Sequence, residues 1–300
     1  MFVFIWNPTI LWFCRVICIG LIFVLLLLYL VGSPWWTFCL LLVLLILTLF
    51  LSVLGIPFER ARWSLSKTTM QAKEISQFPT FVINMDHRVD RWSAMEQELG
   101  SQGMRATRWS AVNGKALSSI ELKKIGIDQS LIDKSRGAAG CAASHVSLWK
   151  HIAEKKLGWC LILEDDATFH PDFAAIFPQY WSQVPTDTEI VYAGYFTTPD
   201  WVKPRKDKVF PAGLLTTHAY FINAAGANEL LKLIPIKTDI DVQVANHYNW
   251  SPKSIAFNDL CQVKLADGRK IRPRDYRQSH PVDFHGLIYQ NREQLGSDIR

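Results

Sequence analysis

The chain has 300 residues, of which 49% are hydrophobic, and a formal net charge of +5. This mild basicity suits anionic partners such as phosphates, but the chain lacks the basic and stacked-aromatic pattern of a nucleic-acid module, so we expect no nucleic-acid partner. Six cysteines without a Cys-x-x-Cys pair indicate reduced thiols rather than the disulfide framework of a small secreted domain.

Two long apolar segments open the chain, at residues 9–31 and 35–56. At about 1.5 Å per residue, each is long enough to cross a hydrocarbon core of roughly 30 Å as a helix. They predict a transmembrane helical hairpin over residues 1–58, hence a multi-pass membrane protein with two helices. Basic residues follow the second segment, and the positive-inside rule then places both termini and the remaining chain in the cytoplasm.

Residues 59–78 are polar and predict a connector, and beyond them short strand-like runs alternate with longer helical segments. The strand-like runs occupy residues 81–83, 106–112, 159–163, 190–193 and 219–222. Helical periodicity covers residues 89–102, 137–156 and 224–234. This alternation predicts an α/β domain with a mostly parallel sheet over residues 79–300, ending in a basic C-terminal tail.

The apolar run at 159–163 ends in three consecutive carboxylates, Glu164, Asp165 and Asp166. Such a run is typical of a strand buried on both faces, and ligands bind beyond the carboxyl ends of such strands. Three neighbouring acids repel one another unless a cation or basic group lies among them. The pattern indicates a divalent-metal site for a phosphate-bearing substrate, with a solvated turn or helix cap near Pro171 as the alternative.

Several stretches of the chain match, in order, the motifs of one enzyme family. They are residues 81–92, 110–114, 137–149, 161–167, 219–227 and 239–241. Together they resemble the family 25 glycosyltransferases, which include lipopolysaccharide and collagen sugar transferases. The resemblance implies an A-type, Rossmann-like glycosyltransferase fold, a UDP-sugar donor (usually UDP-galactose) and inversion at the sugar carbon. One departure is Asn113-Gly114, where the family usually has Asp-Gly.

The spacing of the three carboxylates and the chemistry of sugar transfer suggest a different role for each. Mn²⁺ or Mg²⁺ prefers oxygen ligands and neutralises a leaving diphosphate, and residues two apart in an extended chain point to the same side. We therefore expect Asp166 to be the direct ligand, Glu164 to lie nearer the sugar or bind through water, and Asp165 to orient them. His218 is the candidate for a third metal position, as a late His is in some A-type transferases.

Seven further residues are candidates for binding the nucleotide-sugar. They are Asn84, Arg88, Arg91, Asn113, Gly140, Ser144 and His145. Guanidinium groups offer paired donors to a diphosphate, asparagines at strand ends can bind base or ribose, and a glycine-containing helix start can face an anion. These candidates have structural alternatives. Arg88 and Arg91 could belong to a surface helix start and Asn84 and Asn113 to plain turns, while Gly140 could serve close helix–sheet packing and His145 could be a core histidine.

An inverting transfer also needs a general base near the acceptor hydroxyl. Asp241 is the first candidate and Asp239 the alternate. The sequence thus predicts a membrane-anchored, metal-dependent transferase that moves a hexose to a glycan or lipid-linked acceptor. The alternatives are a non-catalytic relative that acts as a membrane scaffold and a metal-dependent phosphohydrolase that uses the same acids.

Overall fold

The computed structural model describes residues 68–196, 207–248, 251–279 and 284–290. The predicted localisation as a two-helix, multi-pass membrane protein is corrected here, because across these ranges no helix has both the length and the apolar character needed to cross a membrane. The segments 9–31 and 35–56, on which that prediction was based, lie outside the described residues.

A mixed sheet of eight strands forms the centre of the domain. Its strands are β1 (Thr80–Asn84), β2 (Thr107–Ser110), β3 (Cys160–Glu164), β5 (Ile190–Phe196), β6 (Val209–Pro211), β7 (Leu215–Ile222), β8 (Ser254–Phe257) and β11 (Phe284–Gly286). Their order is β2-β1-β3-β7-β5-β8-β6, and β11 pairs with β5. Two small antiparallel pairs join β4 (Ala167–Phe169) to β12 (Ile288–Gln290) and β9 (Val263–Lys264) to β10 (Lys270–Ile271).

The predicted α/β class with a mostly parallel sheet is confirmed. Strands β1, β2, β3, β5 and β8 run in one direction, and β6, β7 and β11 run in the other. The antiparallel strand β7 lies in the middle of the sheet, between β3 and β5. Apolar periodicity does not report strand direction, so this reversal was not predicted.

Helices cover both faces of the sheet. The α-helices in the described residues are α1 (Val89–Ser101), α2 (Ser119–Ile125), α3 (Gln129–Lys134), α4 (Arg136–Glu154), α5 (Phe173–Trp181), α6 (Ala224–Leu231) and α7 (Ile240–Tyr248). Local signals set where they start. Helix α2 begins with a capping box between Ser118 and Glu121, and at the start of α4 the Ser135 hydroxyl accepts a hydrogen bond from the Ala138 N–H at 3.1 Å.

Neighbouring residues of the central strands face two different layers, because side chains alternate along a strand. Phe221 of β7 packs in an aromatic layer with α5, where the Phe177 ring stacks on Phe221 at 5.4 Å and on Trp181 at 5.6 Å. Tyr220, the preceding residue, faces α4 and accepts a hydrogen bond from Trp149 Nε1 at 2.8 Å. One sheet thus supports an aromatic layer and, on its opposite face, a more polar one.

The last residues of the predicted connector pack onto this domain. The Met70 N–H donates to the Val184 carbonyl at 2.8 Å, and a short 3-10 helix follows at Ile75–Gln77. Phe78 is buried in the aromatic layer, with its ring 4.7 Å from that of Trp181. Residues 68–78 therefore contribute to the core, and the other predicted domain boundaries stay predictions.

Candidate active site

A pocket opens where the parallel strands β1, β2 and β3 end, beside the first turns of α4. Its wall is formed by Ile83, Met85, Arg91, Ala111, Val112, Asn113, Gly114, Lys115, Gly137, Cys141, Ser144, His145, Glu164, Asp165 and Asp166. Open α/β sheets bind ligands at this edge, beyond the carboxyl ends of their strands. Seven of the predicted donor- and metal-binding residues line this one pocket: Arg91, Asn113, Ser144, His145, Glu164, Asp165 and Asp166.

Asp165 is tied to strand β1 and helix α1. Its carboxylate accepts hydrogen bonds at 2.6 Å from Asn84 Nδ2 and at 2.6 Å from Arg91 Nη1, and all three residues are buried. Burial raises the pKa of Asp165 above its usual value, although Arg91 and Asn84 act in the opposite direction. These contacts tie the start of the turn after β3 to β1 and α1, and the role of Asp165 in orienting the other two acids stays a prediction.

Glu164 faces helix α4 at the pocket floor. Its Oε1 lies 3.5 Å from His145 Nε2 and accepts a hydrogen bond from Thr217 Oγ1 at 2.9 Å. Burial by itself would raise the pKa of Glu164, but His145, His218 and the Thr217 hydroxyl together lower it to about 2. The Glu164 side chain therefore carries its negative charge at neutral pH.

Asp166 is held from the far end of the chain. Gln290 Nε2 lies 3.2 Å from Asp166 Oδ1 and 3.1 Å from Oδ2, because β12 pairs with β4 directly after the acidic turn. The sequence did not point to Gln290, Thr217 or Tyr220 as site residues. Tyr220 falls within the matched stretch 219–227, but no pattern of residue types gave any of the three a role. Strand pairing places Gln290 at Asp166, Thr217 at Glu164 and Tyr220 at His145.

The loop after β2 lies against α4 through two facing glycines. A Cβ on Gly140 would lie 2.5 Å from the Val112 carbonyl oxygen and 2.6 Å from the Gly114 nitrogen. Ser144 Oγ accepts from the Val112 N–H at 2.8 Å and donates to the Gly140 carbonyl at 2.8 Å. Gly140 therefore permits close packing of the helix against the loop, which is the structural alternative considered for it above. Ser144 holds the same loop in place, and the exposed Asn113 lies on that loop.

Two predicted ligand-binding residues have other partners in this structure. Arg88, at the start of α1, forms an ion pair with Asp90 at 2.8 Å and is not among the pocket residues. His218 is buried behind the pocket, with Nδ1 2.8 Å from Thr216 Oγ1 and Nε2 3.0 Å from the Ile288 carbonyl. Metal ligation by His218 would require one of these contacts to break, so the arrangement does not favour it.

The two candidate bases differ in their surroundings. Asp239 forms an ion pair with Lys134 at 2.5 Å, and both side chains are substantially exposed. Asp241 Oδ2 accepts from the Thr216 N–H at 3.2 Å, next to the Thr217 side chain that contacts Glu164. Thr216 has a φ of 76°, which is strained for a β-branched residue, and such strain concentrates at functional sites. Asp241 thus contacts the residue that precedes Thr217, whereas Asp239 pairs with an exposed lysine, and which of the two is the base stays a prediction.

One further group at the pocket has the donor atoms of a metal site. Cys141, His145 and Glu164 each offer a ligand atom, and these atoms lie within 4.8 Å of one another. Cys141 was not predicted to be a site residue.

Residues 77–244, more than half of the chain, match the family model described as "Glycosyltransferase family 25 (LPS biosynthesis protein)". The chain belongs to glycosyltransferase family 25. Human "Procollagen galactosyltransferase 2" is 28% identical over 189 residues, which cover 56% of this chain and 30% of that protein. Human "Inactive glycosyltransferase 25 family member 3" is 24% identical over 234 residues, which cover 67% of this chain and 39% of that protein.

The chain thus aligns with well under half the length of these two family relatives. Among solved structures, a "glycosyltransferase involved in the glycosylation of the major capsid of PBCV-1" overlaps loosely with it. The TM-score is 0.40 at 10% sequence identity, over 71% of this chain and 91% of that structure.

Proposed function

We propose that this family 25 member is an inverting, metal-dependent hexosyltransferase with an A-type fold. Its donor is a UDP-sugar, UDP-galactose by likeness to the human relative's name, and its acceptor is a glycan hydroxyl. The observation that carries the proposal is the convergence of Glu164, Asp165 and Asp166 with Arg91 and the loop after β2 in one pocket. Fold class and family then point to sugar transfer rather than to another use of the same acids.

Charge explains why a nucleotide diphosphate would need a cation in this pocket. The Asp165 carboxylate is compensated by Arg91 at 2.6 Å, whereas Glu164 is ionised beside it. A diphosphate next to Glu164 and Asp166 would be repelled unless a cation lies between them. Lys115, exposed at the pocket mouth, adds a positive charge on the donor side.

The residues present fit Mn²⁺ or Mg²⁺, because Glu164 and Asp166 supply oxygen donors at the end of one strand. When bound, such an ion supplies Lewis-acid stabilisation of the leaving diphosphate. The chain's own groups orient the acids: Arg91 and Asn84 hold Asp165, and Gln290 holds Asp166. His218 is left out of this donor set because of its contacts with Thr216 and Ile288.

Asp241 is the proposed general base, taking the proton of the acceptor hydroxyl as the sugar is transferred. Its backbone partners, the N–H groups of Thr216 and Val242, hold the carboxylate at the start of β7. Asp239 is the weaker candidate, because Lys134 pairs with it on the exposed surface.

The decisive experiment is to incubate the purified chain with UDP-galactose, Mn²⁺ and a panel of glycan acceptors. A transferase releases UDP and labels an acceptor, a phosphohydrolase releases phosphate, and a non-catalytic relative releases neither. The last outcome is a real alternative, because the human relative that matches over 234 residues is named inactive. Absence of UDP release with UDP-galactose and with other UDP-hexoses would contradict the proposal.

Asp166→Ala tests the metal assignment in the same assay. We expect loss of Mn²⁺-dependent UDP binding and transfer with little change in melting temperature, since removing one of three like charges relieves repulsion. Asp267→Ala is the control, because Asp267 is a surface acid paired with Arg269. An unfolded Asp166→Ala protein would instead indicate a structural role, and an active one would exclude metal ligation by Asp166.

A further inference from the structure

Cys141 and His145 lie four residues apart on α4 and therefore on the same face of the helix. Both line the pocket, and Glu164 approaches them from the end of β3. The thiol sulfur, an imidazole nitrogen and a carboxylate oxygen lie within 4.8 Å of one another. This group has a softer donor set than the oxygen pair formed by Glu164 and Asp166.

His145 is oriented from behind by a buried chain of aromatic residues. Its Nδ1 lies 2.9 Å from the Tyr220 hydroxyl, and Trp149 Nε1 donates to that same hydroxyl at 2.8 Å. Metal-binding histidines usually have such a partner on the second ring nitrogen, which holds the ring in position. The Tyr220 contact therefore directs the other nitrogen, Nε2, towards Glu164 and the pocket.

The environment of the His145 Nε2 atom is a second observation, independent of the donor cluster, that indicates a bound cation. His145 is completely buried, and in the described part of the chain Nε2 has no hydrogen-bond partner, only the 3.5 Å approach of Glu164 Oε1. A separation of 3.5 Å is too long for a good hydrogen bond, so this buried nitrogen is incompletely satisfied, and a fully unsatisfied one would cost about 1–3 kcal/mol. A cation between Cys141, His145 and Glu164 would satisfy this atom.

We propose that Cys141, His145 and Glu164 form a second cation site, selective for Zn²⁺ or a similar thiophilic divalent ion. Zn²⁺ binds sulfur at about 2.3 Å and nitrogen at about 2.0–2.1 Å, so tetrahedral ligands lie roughly 3.3–3.8 Å apart. The ligand atoms, which lie within 4.8 Å of one another, would need to approach by up to about 1–1.5 Å to reach this spacing. Binding converts the Cys141 thiol to a thiolate and releases its proton to solvent.

The site has three protein ligands and one side open to the pocket, as zinc sites that keep an exchangeable position do. Glu164 belongs both to this site and to the oxygen donor set of the proposed function. Zn²⁺ bound here would take that carboxylate away from the donor's cation, so we expect Zn²⁺ to inhibit a Mn²⁺-dependent reaction. The binding itself does not depend on the proposed activity.

The test uses the full chain, without donor or acceptor, titrated with Co²⁺ and then with Zn²⁺. We expect a thiolate-to-cobalt charge-transfer band that Zn²⁺ abolishes. Removing a residue that only hydrogen-bonds to a metal-binding side chain lowers metal affinity about 10–100-fold. Cys141→Ser removes a proposed ligand itself, so it should lower Zn²⁺ affinity at least about 100-fold and remove the band. Cys261→Ser, a matched change at a thiol outside the pocket lining, should keep both.

Asp166→Ala separates this site from the proposed Mn²⁺ site, because it should retain the band and the Zn²⁺ affinity while losing Mn²⁺-dependent UDP binding. Protection of Cys141 from alkylation by Zn²⁺, followed by mass spectrometry, provides a measurement on the wild-type chain if Cys141→Ser does not fold. No band and no protection in the wild type would overturn the proposal. Loss of Zn²⁺ binding in Asp166→Ala but not in Cys141→Ser would also overturn the proposed Zn²⁺ site. That result would not contradict the proposed Mn²⁺ site.

Discussion

The two faces of the central sheet differ in how they use side chains from the same strands. On the α5 face, the ring centroids of Phe177, Trp181 and Phe221 lie within 5.6 Å of one another in a mostly apolar layer. On the α4 face, Tyr220 connects Trp149 to His145, and that connection continues to Glu164 at the pocket. The alternation of side chains along a strand is what allows both layers to share one backbone.

The two faces contribute to different properties: the aromatic face mainly to stability, and the polar face mainly to the pocket. The aromatic layer removes large apolar surfaces from water, worth about 1.5–3 kcal/mol for a fully buried large side chain. The polar face holds charged and hydrogen-bonding groups in fixed positions next to solvent, which contributes less to folding but arranges a binding site. We therefore expect substitutions on the first face to lower stability and substitutions near the second to alter binding and turnover.

The largest effect is expected at Asp241. If it is the general base, Asp241→Asn should retain donor and metal binding while turnover falls by roughly 10²–10⁴-fold, with little change in melting temperature. Steady-state kinetics with donor affinity measured separately would show this. Asp239→Asn discriminates between the two acids, and a larger loss in that variant would reverse the assignment.

Phe177→Ala tests the aromatic face. Phe177 is fully buried, and its truncation should lower the free energy of unfolding by about 3–5 kcal/mol, measured by urea denaturation. Donor affinity should be unchanged wherever the variant is still folded. Ile120→Ala is the control, since Ile120 is 68% exposed and its loss should cost less than about 0.5 kcal/mol. Weakened donor binding in folded Phe177→Ala would mean that the two faces are coupled.

Gly140→Ala tests the contact between α4 and the loop that lines the pocket. The added methyl group would meet backbone atoms at 2.5 and 2.6 Å, so we expect a loss of about 1–3 kcal/mol and weaker UDP binding as the loop moves. In Gly100→Ala, also within a helix, the new methyl group meets no atom within 4 Å, and stability should rise by about 0.5–1 kcal/mol. Equal behaviour of the two variants would contradict the close-packing role of Gly140.

The smallest effect concerns the charge of Glu164 in metal-free protein. Its pKa is lowered from 4.5 to about 2 in the folded chain, so its contribution to stability is present above pH 4.5 and is lost as pH falls towards 2. The stability advantage of the wild type over Glu164→Gln should therefore shrink by about 1–2 kcal/mol between pH 5 and pH 3. Urea midpoints measured in chelator would show it. Parallel pH profiles would mean that His145 and Thr217 do not stabilise the carboxylate.

The sequence by itself determined the α/β class, the family and the edge of the sheet at which the pocket lies. These follow from local information: an apolar run that ends in three acids, helical periodicity, and ordered motifs. The pocket accordingly contains seven predicted residues, among them Arg91, Ser144 and His145.

Only the tertiary structure decided which partners those residues have. Gln290 reaches Asp166 because β12 pairs with β4, Thr217 reaches Glu164 because β7 runs antiparallel beside β3, and Lys134 keeps Asp239 at the surface. Each of these contacts joins residues far apart in the chain. Strand direction, register and burial arise from the packing of the whole domain, and no local pattern of residue types specifies them.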